Sequence, residues 1–140
     1  MFRPCDRFLS TNVADGDVER LMETYAQQNQ VYVNLKQLLN TALGRYVDLA
    51  GINEDVSEEQ KVLIQGACFL HREMPVRLAH RAKELGNSAL RHSKNAQVVR
   101  TWYKQSFVDL LAIDFPDTVE KEEIFAEVIA EIYERHAPTL

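Results

Sequence analysis

The sequence F-L-H-R-E-M-P-V-R-L-A-H-R-A-K-E-L at Phe69–Leu85 places a proline in the middle of a segment that otherwise has the pattern of a long amphipathic helix. Pro75 removes one backbone donor and crowds the carbonyl four residues earlier, at a cost of ~3 kcal/mol or more. A helix that keeps such a proline needs neighbours that fix the resulting kink. We therefore predict that this segment is the central packing element of a helical bundle.

Capping residues and apolar periodicity predict where the helices begin and end. The long helix is expected to begin at a capping box formed by Ser57 and Gln60 and to end at Gly86. A short helix follows Asn34 and ends at Gly44, where a left-handed residue is favoured. The segment between these two helices loses the periodicity and is predicted to be a loop. The other expected N-caps are Asp17, Asn95 and either Asp117 or Thr118.

The periodic apolar residues also predict which helix faces are buried. Those expected to face the core are Val18, Leu21, Met22 and Tyr25; Leu63, Ala67, Leu70, Met74, Leu78, Ala82 and Leu85; Val98, Val99, Trp102, Phe107, Leu110 and Leu111; and two adjacent stripes, Ile124, Val128, Ile132 and Phe125, Ile129, Tyr133. The prediction is an all-α fold with one domain over residues 1–140. Its architecture is an antiparallel four-helix bundle with a long Pro-kinked helix and a short extra helix near the N-terminus.

Composition argues against several classes of protein and site. The net charge of −5 does not suit a surface built for phosphate backbones, so nucleic acid is not expected as a partner. The two cysteines lie far apart, and no apolar run approaches the ~18 residues of a membrane span. None of the five glycines lies near another, which leaves no phosphate-binding loop. The four histidines lack the ligand spacing of helical metal sites, so neither a metal site nor a catalytic residue is predicted.

Two functions remain open from the residues alone. A histidine phosphotransfer module is also a helical bundle, and it would need one exposed histidine with basic neighbours, such as His80. A stand-alone interaction bundle would need no reactive group. Glu73 and Arg77 have the spacing of a helix ion pair, which favours a paired surface over an acid–base pair.

Three blocks of the sequence, taken in order, match one family of proteins. They are the segment at 69–85, V-V-R-T-W-Y-K-Q-S-F-V-D-L-L at 98–111, and I-Y-E-R-H-A-P-T-L at 132–140. Together they resemble the N-terminal domain of the mitochondrial pyruvate dehydrogenase kinase and branched-chain α-ketoacid dehydrogenase kinase family. The resemblance covers about Tyr25–Leu140, and N-L-K-Q-L-L at 34–39 is similar to the family's first core helix.

The resemblance implies a parent enzyme with a second, C-terminal ATP-binding domain, which phosphorylates serine on the dehydrogenase component of an α-ketoacid dehydrogenase complex. ATP and Mg²⁺ would belong to that domain, beyond Leu140. No cofactor is therefore expected in this chain, which alone should be inactive. The resemblance also implies the mitochondrial matrix, although no clear presequence is present, and a homodimer formed through the missing domain.

A first site implied by the resemblance is an apolar pocket that takes the lipoyl-lysine arm of the acyltransferase component. By motif position, its lining here is Val33, Leu38, Thr41 and Phe69. This set is less aromatic than the usual family pattern, but burial of an apolar arm still contributes ~25 cal/mol per Å². The expected partner is the lipoyl domain of that component.

A second implied site, inside the bundle, accepts small carboxylates such as keto acids. By motif position it comprises Leu78, Tyr103, Ser106, Ile132, Tyr133 and His136. Tyr103 and Ser106 lie on one helix face and can hydrogen-bond a carboxylate, while His136 would add positive charge if protonated. Tyr133 stands where pyruvate dehydrogenase kinases usually have an arginine, so weak binding is expected. Tyr103 and His136 could equally form a buried polar pair that satisfies itself.

Overall fold

The computed structural model describes residues 14–43 and 55–139, which form five α-helices and no strand. The helices are α1 Asp15–Tyr25, α2 Leu35–Ala42, α3 Glu58–Asn87, α4 Lys94–Leu111 and α5 Val119–His136, and a 3₁₀ helix follows at Ala137–Thr139. The all-α prediction is confirmed. Gly44 and most of the predicted loop after it lie outside the described residues. Within the described ranges, no helix has both the length and the apolar character needed to span a membrane.

Helix α3 is the element on which the other four helices pack. It begins at the predicted capping box, in which the Gln60 N–H donates to Ser57 Oγ over 3.2 Å and the Ser57 N–H donates to Gln60 Oε1 over 3.3 Å. Pro75 lies buried inside the helix and has no N–H to donate to the His71 carbonyl. The helix nevertheless continues to Asn87, because neighbouring helices hold both of its halves.

Side-chain contacts fix the directions of the bundle helices. Helix α4 runs antiparallel to α3. Arg100, near the start of α4, donates to the Ala82 carbonyl near the end of α3 over 3.3 Å. The Ile113 carbonyl, just after α4, lies 3.2 Å from His71 Nε2 in the first half of α3. Helix α5 returns antiparallel to α4, since its first half lies beside His71 through Phe125 and its end reaches the middle of α4. Helix α1 is antiparallel to α3, because Glu23 in α1 pairs with Lys83, whereas Gln28, just after α1, contacts the earlier residue His80. The bundle therefore consists of α1, α3, α4 and α5, and α2 is the predicted short extra helix.

The hydrophobic core lies between the four bundle helices. Phe107 and Leu110 are completely buried, and the Tyr25 ring packs edge-on against Phe107 with the ring centroids 5.2 Å apart. The buried residues of this cluster are Val18, Met22, Ala26, Ala67, Leu78, Ala79, Ala82, Phe107, Leu110, Phe125, Val128 and Ile132. Every bundle helix contributes to it, so one core stabilises the whole arrangement.

Some predicted helix ends and faces are wrong. Helix α1 begins two residues before Asp17, and α4 follows Ser93, with Asn95 already inside the helix. Of the two candidates for the last cap, Thr118 accepts the Lys121 N–H over 3.3 Å. An apolar stripe wider than the contact with its neighbour leaves its edges in solvent. Six residues predicted to face the core are for this reason at least 38% exposed, namely Leu21, Leu63, Leu70, Val98, Ile124 and Tyr133.

Candidate functional site

A polar cluster lies where the end of α5 meets the middle of α4. Ser106 Oγ is 3.0 Å from His136 Nε2, and Arg135 Nη1 donates to the same hydroxyl over 2.8 Å. Arg135 Nη2 donates to Asp109 Oδ2 over 2.7 Å. Ser106 is completely buried, and the side chains of Arg135 and Asp109 are only 19% and 13% exposed. Two helices thus bring a cation, an anion, an imidazole and a hydroxyl together in a mostly dry environment.

Two aromatic rings surround the imidazole of this cluster. The Tyr103 ring lies at an angle of 35° to the His136 ring with centroids 5.0 Å apart, and Trp102 approaches it edge-on at 6.3 Å. Burial lowers the pKa of His136, and the positive charge of Arg135 lowers that pKa further. Since the pKa falls below an ordinary value of 6.5, His136 is neutral at neutral pH.

The donors and acceptors of the cluster fix the orientation of the Ser106 hydroxyl. Arginine can only donate, so Ser106 Oγ accepts from Arg135. The hydroxyl hydrogen is then directed to His136 Nε2, which accepts when the ring is neutral and carries its hydrogen on Nδ1. The lowered pKa of His136 agrees with a neutral ring, and we assign the hydrogen to Nδ1 because Nε2 accepts from Ser106.

The structure brings together Tyr103, Ser106 and His136 from the set predicted to bind small carboxylates. Leu78 and Ile132 are buried in the core cluster. Tyr133 faces solvent on α5. Whether a carboxylate binds between these residues stays a prediction.

Sequence reasoning missed Asp109, Arg135 and Trp102. Asp109 follows Ser106 by three residues, so helical spacing places it on the same face and could have identified it. Arg135 directly precedes His136, but nothing local indicates that it pairs with Asp109, 26 residues away in the chain. That pairing depends on how α4 and α5 pack.

The chain between α1 and α2 is tied to α3 by three side chains, those of Glu73, Arg77 and His80. Glu73, only 5% exposed, accepts the Val31 N–H over 3.0 Å and Arg77 Nε over 2.9 Å on the same carboxylate oxygen. Arg77 Nη2 donates to the Val31 carbonyl over 2.8 Å. The predicted pairing of Glu73 with Arg77 is confirmed. Together these two side chains bind Val31, which belongs to residues 28–31, a segment that we call the strap.

His80 also holds the strap. Its Nε2 lies 2.8 Å from the Gln28 carbonyl oxygen. Because a carbonyl only accepts, this nitrogen carries the hydrogen and donates it. Nε2 then has no lone pair with which to attack a phosphoryl group, so in the phosphotransfer alternative Nδ1 would have to be the nucleophile.

Helix α2, directly after the strap, exposes a stripe of leucines. Leu35, Leu39 and Leu43 recur every four residues and are 81%, 56% and 54% exposed. We call these three residues the leucine stripe. The Gln37 N–H donates to Asn34 Oδ1 over 2.9 Å, as the predicted cap requires. A helix with an apolar face in solvent is a typical partner-binding surface.

The residues predicted for the lipoyl pocket lie in the same part of the fold. Val33 and Phe69 are half-buried. Val31 is bonded to Glu73, one helical turn after Phe69, so the chain carrying Val33 passes beside that half of α3. The side chains of Leu38 and Thr41, both in α2, lie outside the described residues.

A separate groove of about 580 Å³ opens between α1, the end of α3 and the start of α4. Its lining includes Met22, Ala79 and Ala82 and the charged side chains of Lys83 and Arg100. These two cations are already paired with carboxylates of α1, over 2.7 and 2.9 Å. None of the residues predicted for either site lines this groove.

Among the described residues we find no glycine-rich loop and no group of metal-ligating side chains. Gly16, Gly66 and Gly86 all lie inside helices, so they supply no loop that could cradle phosphates. In residues 14–43 and 55–139, no three His, Cys, Asp or Glu side chains are grouped so that they could hold a metal.

Comparison of the sequence with known proteins identifies one family. The profile of the family described as mitochondrial branched-chain alpha-ketoacid dehydrogenase kinase matches residues 32–140. A mitochondrial pyruvate dehydrogenase (acetyl-transferring) kinase of Arabidopsis thaliana is 37% identical over 81 residues, 55% of this chain and 22% of that protein. Isozyme 4 of the corresponding Homo sapiens kinase is 27% identical over 125 residues, 86% of this chain and 27% of that protein.

The match is thus to one part of these relatives, since the chain spans about a quarter of their length. No solved structure gives a significant match. The order of the three motif blocks, the helical bundle and the family profile all lead to one conclusion. The chain belongs to the mitochondrial branched-chain α-ketoacid dehydrogenase kinase family, of which it represents the N-terminal helical domain.

Proposed function

We propose that this domain docks on the lipoyl domain of the acyltransferase component of an α-ketoacid dehydrogenase complex. The observation that supports this most strongly is the leucine stripe on α2 and at Leu43 directly after it, which is apolar and exposed. Each buried CH₂ group contributes about 0.8 kcal/mol, so covering this stripe and an apolar arm gives a favourable free energy of binding.

In this proposal the lipoyl-lysine arm enters between α2 and the half of α3 that carries Phe69. The arm is a chain of methylene groups ending in a dithiolane, so it is recognised by shape and by burial of apolar area. Glu73 and Arg77 hold the backbone of Val31 on α3, four residues before α2 begins. A preorganised surface loses less conformational entropy on binding.

Binding of the lipoylated and the unlipoylated forms of one lipoyl domain, measured by isothermal titration calorimetry, tests the proposal. We expect tighter binding of the lipoylated form and a loss of that difference in Phe69→Ala. Leu90→Ala is the matched control, because Leu90 is an exposed apolar residue in the connection between α3 and α4. Equal affinity for both forms in the wild-type chain would remove the pocket assignment.

A second function, sensing of small carboxylates, is favoured by the cluster of Tyr103, Ser106 and His136. A carboxylate there would accept hydrogen bonds from the Tyr103 hydroxyl and, in the tautomer assigned above, from the Nδ1–H of His136. Titration with pyruvate, followed through the NMR signals of the His136 ring, tests this function. We expect shifts that saturate, and weaker binding in Tyr103→Phe. Acetone, which lacks the carboxylate, is the control ligand and should leave the signals unchanged.

For the whole protein we propose ATP-dependent phosphorylation of serine on the dehydrogenase component, in mitochondria. ATP and Mg²⁺ would be held by a part of the protein outside this chain, as the family resemblance implies. We also propose that the whole protein forms a homodimer through that other part. The purified 140-residue chain should then transfer no phosphate from ATP.

A further inference from the structure

The charges of the polar cluster cancel within the protein. Arg135 carries one positive charge and Asp109 one negative charge, their side chains are 2.7 Å apart, and both are mostly buried. His136 adds no charge at neutral pH, because burial and Arg135 lower its pKa. An anion that enters the cluster therefore meets a cation whose charge is already compensated.

We propose that Asp109 determines the affinity of this cluster for small carboxylates, by acting as an internal carboxylate that occupies Arg135. The inference rests on the carboxylate-sensing function proposed above. It makes Asp109 a specificity-determining residue that keeps binding weak, and it makes Arg135 the cation on which stronger binding depends.

The geometry holds Asp109 firmly in that role. Its Oδ2 accepts from Arg135, and its Oδ1 accepts Gln105 Nε2 over 2.8 Å from one turn earlier in α4. Both carboxylate oxygens are thus bound, and one of the donors is an arginine anchored a second time on Ser106. Charge-assisted bonds of this kind are stronger than neutral ones. A small ligand does not easily displace such an internal carboxylate.

The energetic consequence follows from Coulomb's law. A carboxylate bound beside Ser106 and His136 lies near Arg135 and Asp109 at the same time, so attraction and repulsion largely offset each other. If the Asp109 charge is removed, only the attraction remains, in a site that water screens less than the surface. We expect the affinity for a monocarboxylate to rise by at least about tenfold.

A cycle of charge-neutralising substitutions tests the proposal. Asp109→Asn leaves the cluster with a charge of about +1, Arg135→Gln with about −1, and the double variant with about zero, like the wild type, by formal side-chain charges. Asparagine and glutamine keep hydrogen-bonding groups of similar shape. Pyruvate is the probe, titrated by NMR near pH 8, where histidine is neutral, and acetone is the uncharged control.

The expected order of pyruvate affinity is Asp109→Asn tightest, then the wild type and the double variant, then Arg135→Gln. The affinity of Asp109→Asn should also fall more steeply with added salt than that of the wild type. Thermal unfolding shows whether each variant is folded. If Asp109→Asn does not fold, the double variant must still bind pyruvate more tightly than Arg135→Gln.

The possible failures are distinguishable. If the wild type binds pyruvate and Asp109→Asn binds it no more tightly, the role of Asp109 is overturned and carboxylate sensing stands. If no member of the cycle responds to pyruvate, carboxylate sensing and the role of Asp109 both fall, and docking of the lipoyl domain is unaffected. Tighter binding of acetone by Asp109→Asn would show a change of shape instead of charge, and would also overturn the proposal.

Discussion

Glu73 is a buried carboxylate that holds the strap to α3, and its removal tests whether the strap is built as described. In Glu73→Ala, the Val31 N–H and Arg77 Nε lose their common acceptor. A hydrogen bond to a charged group contributes about 1.5–3 kcal/mol. Val31 is 51% exposed and the Arg77 side chain is 44% exposed, so both donors can turn to water, and the cost stays near the lower end of that range. We expect a loss of about 2 kcal/mol in the free energy of unfolding and a fall in Tm of roughly 6 °C.

Urea unfolding gives the stability change, and hydrogen exchange of the Val31 amide reports on the strap itself. We expect this amide to exchange much faster in Glu73→Ala, with a smaller effect in Glu73→Gln, which keeps an acceptor oxygen. Glu84→Ala is the control, because Glu84 pairs with Arg81 on the exposed side of α3 and should change stability by less than about 0.5 kcal/mol. Unchanged protection of Val31 in Glu73→Ala would refute the reasoning.

Other predictions concern the core, the caps and the buried histidine. Phe107→Ala should destabilise the fold by about 3–5 kcal/mol in urea unfolding, because the ring is completely buried; a loss below about 1 kcal/mol would contradict the core assignment. Ser57→Ala should cost about 1 kcal/mol and Ser93→Ala close to nothing, because only Ser57 accepts a capping hydrogen bond through its side chain. The lowered pKa of His136 means that the unfolded state binds more protons below an ordinary pKa of 6.5. Its contribution to stability is therefore complete above that value and is lost as the pH falls, so His136→Gln should flatten the pH dependence of unfolding between about pH 7 and 5; equal slopes would contradict this.

The fold class and the long helix were predictable from the sequence because their signals are local. The capping box at Ser57 and Gln60 and the caps Asn34 and Thr118 depend on residues three positions apart. The apolar periodicity identified every helix. It did not decide which edge of a wide stripe would be buried, because that depends on the angle of the neighbouring helix. Leu63 is exposed and Ile64 is buried for this reason.

The candidate site was predictable only in part. The motif blocks identified Tyr103, Ser106 and His136, and the structure places these residues together. They did not identify the pairing of Asp109 with Arg135, because a contact between α4 and α5 leaves no periodic trace in the sequence. The strap was missed for the same reason: Val31 bonds through its backbone, and any residue other than proline could do so.

We propose that the surface formed by α2 and the Phe69 region of α3 binds a lipoyl domain. Titrating an isotope-labelled chain with the lipoylated domain, and separately with the unlipoylated domain, tests it by the positions of the NMR signals that shift. We expect shifts at Leu35, Leu39 and Phe69, with the Phe69 shift requiring the lipoyl group. Shifts confined to the groove near Lys83 and Arg100, or identical shifts with both forms of the domain, would contradict the account.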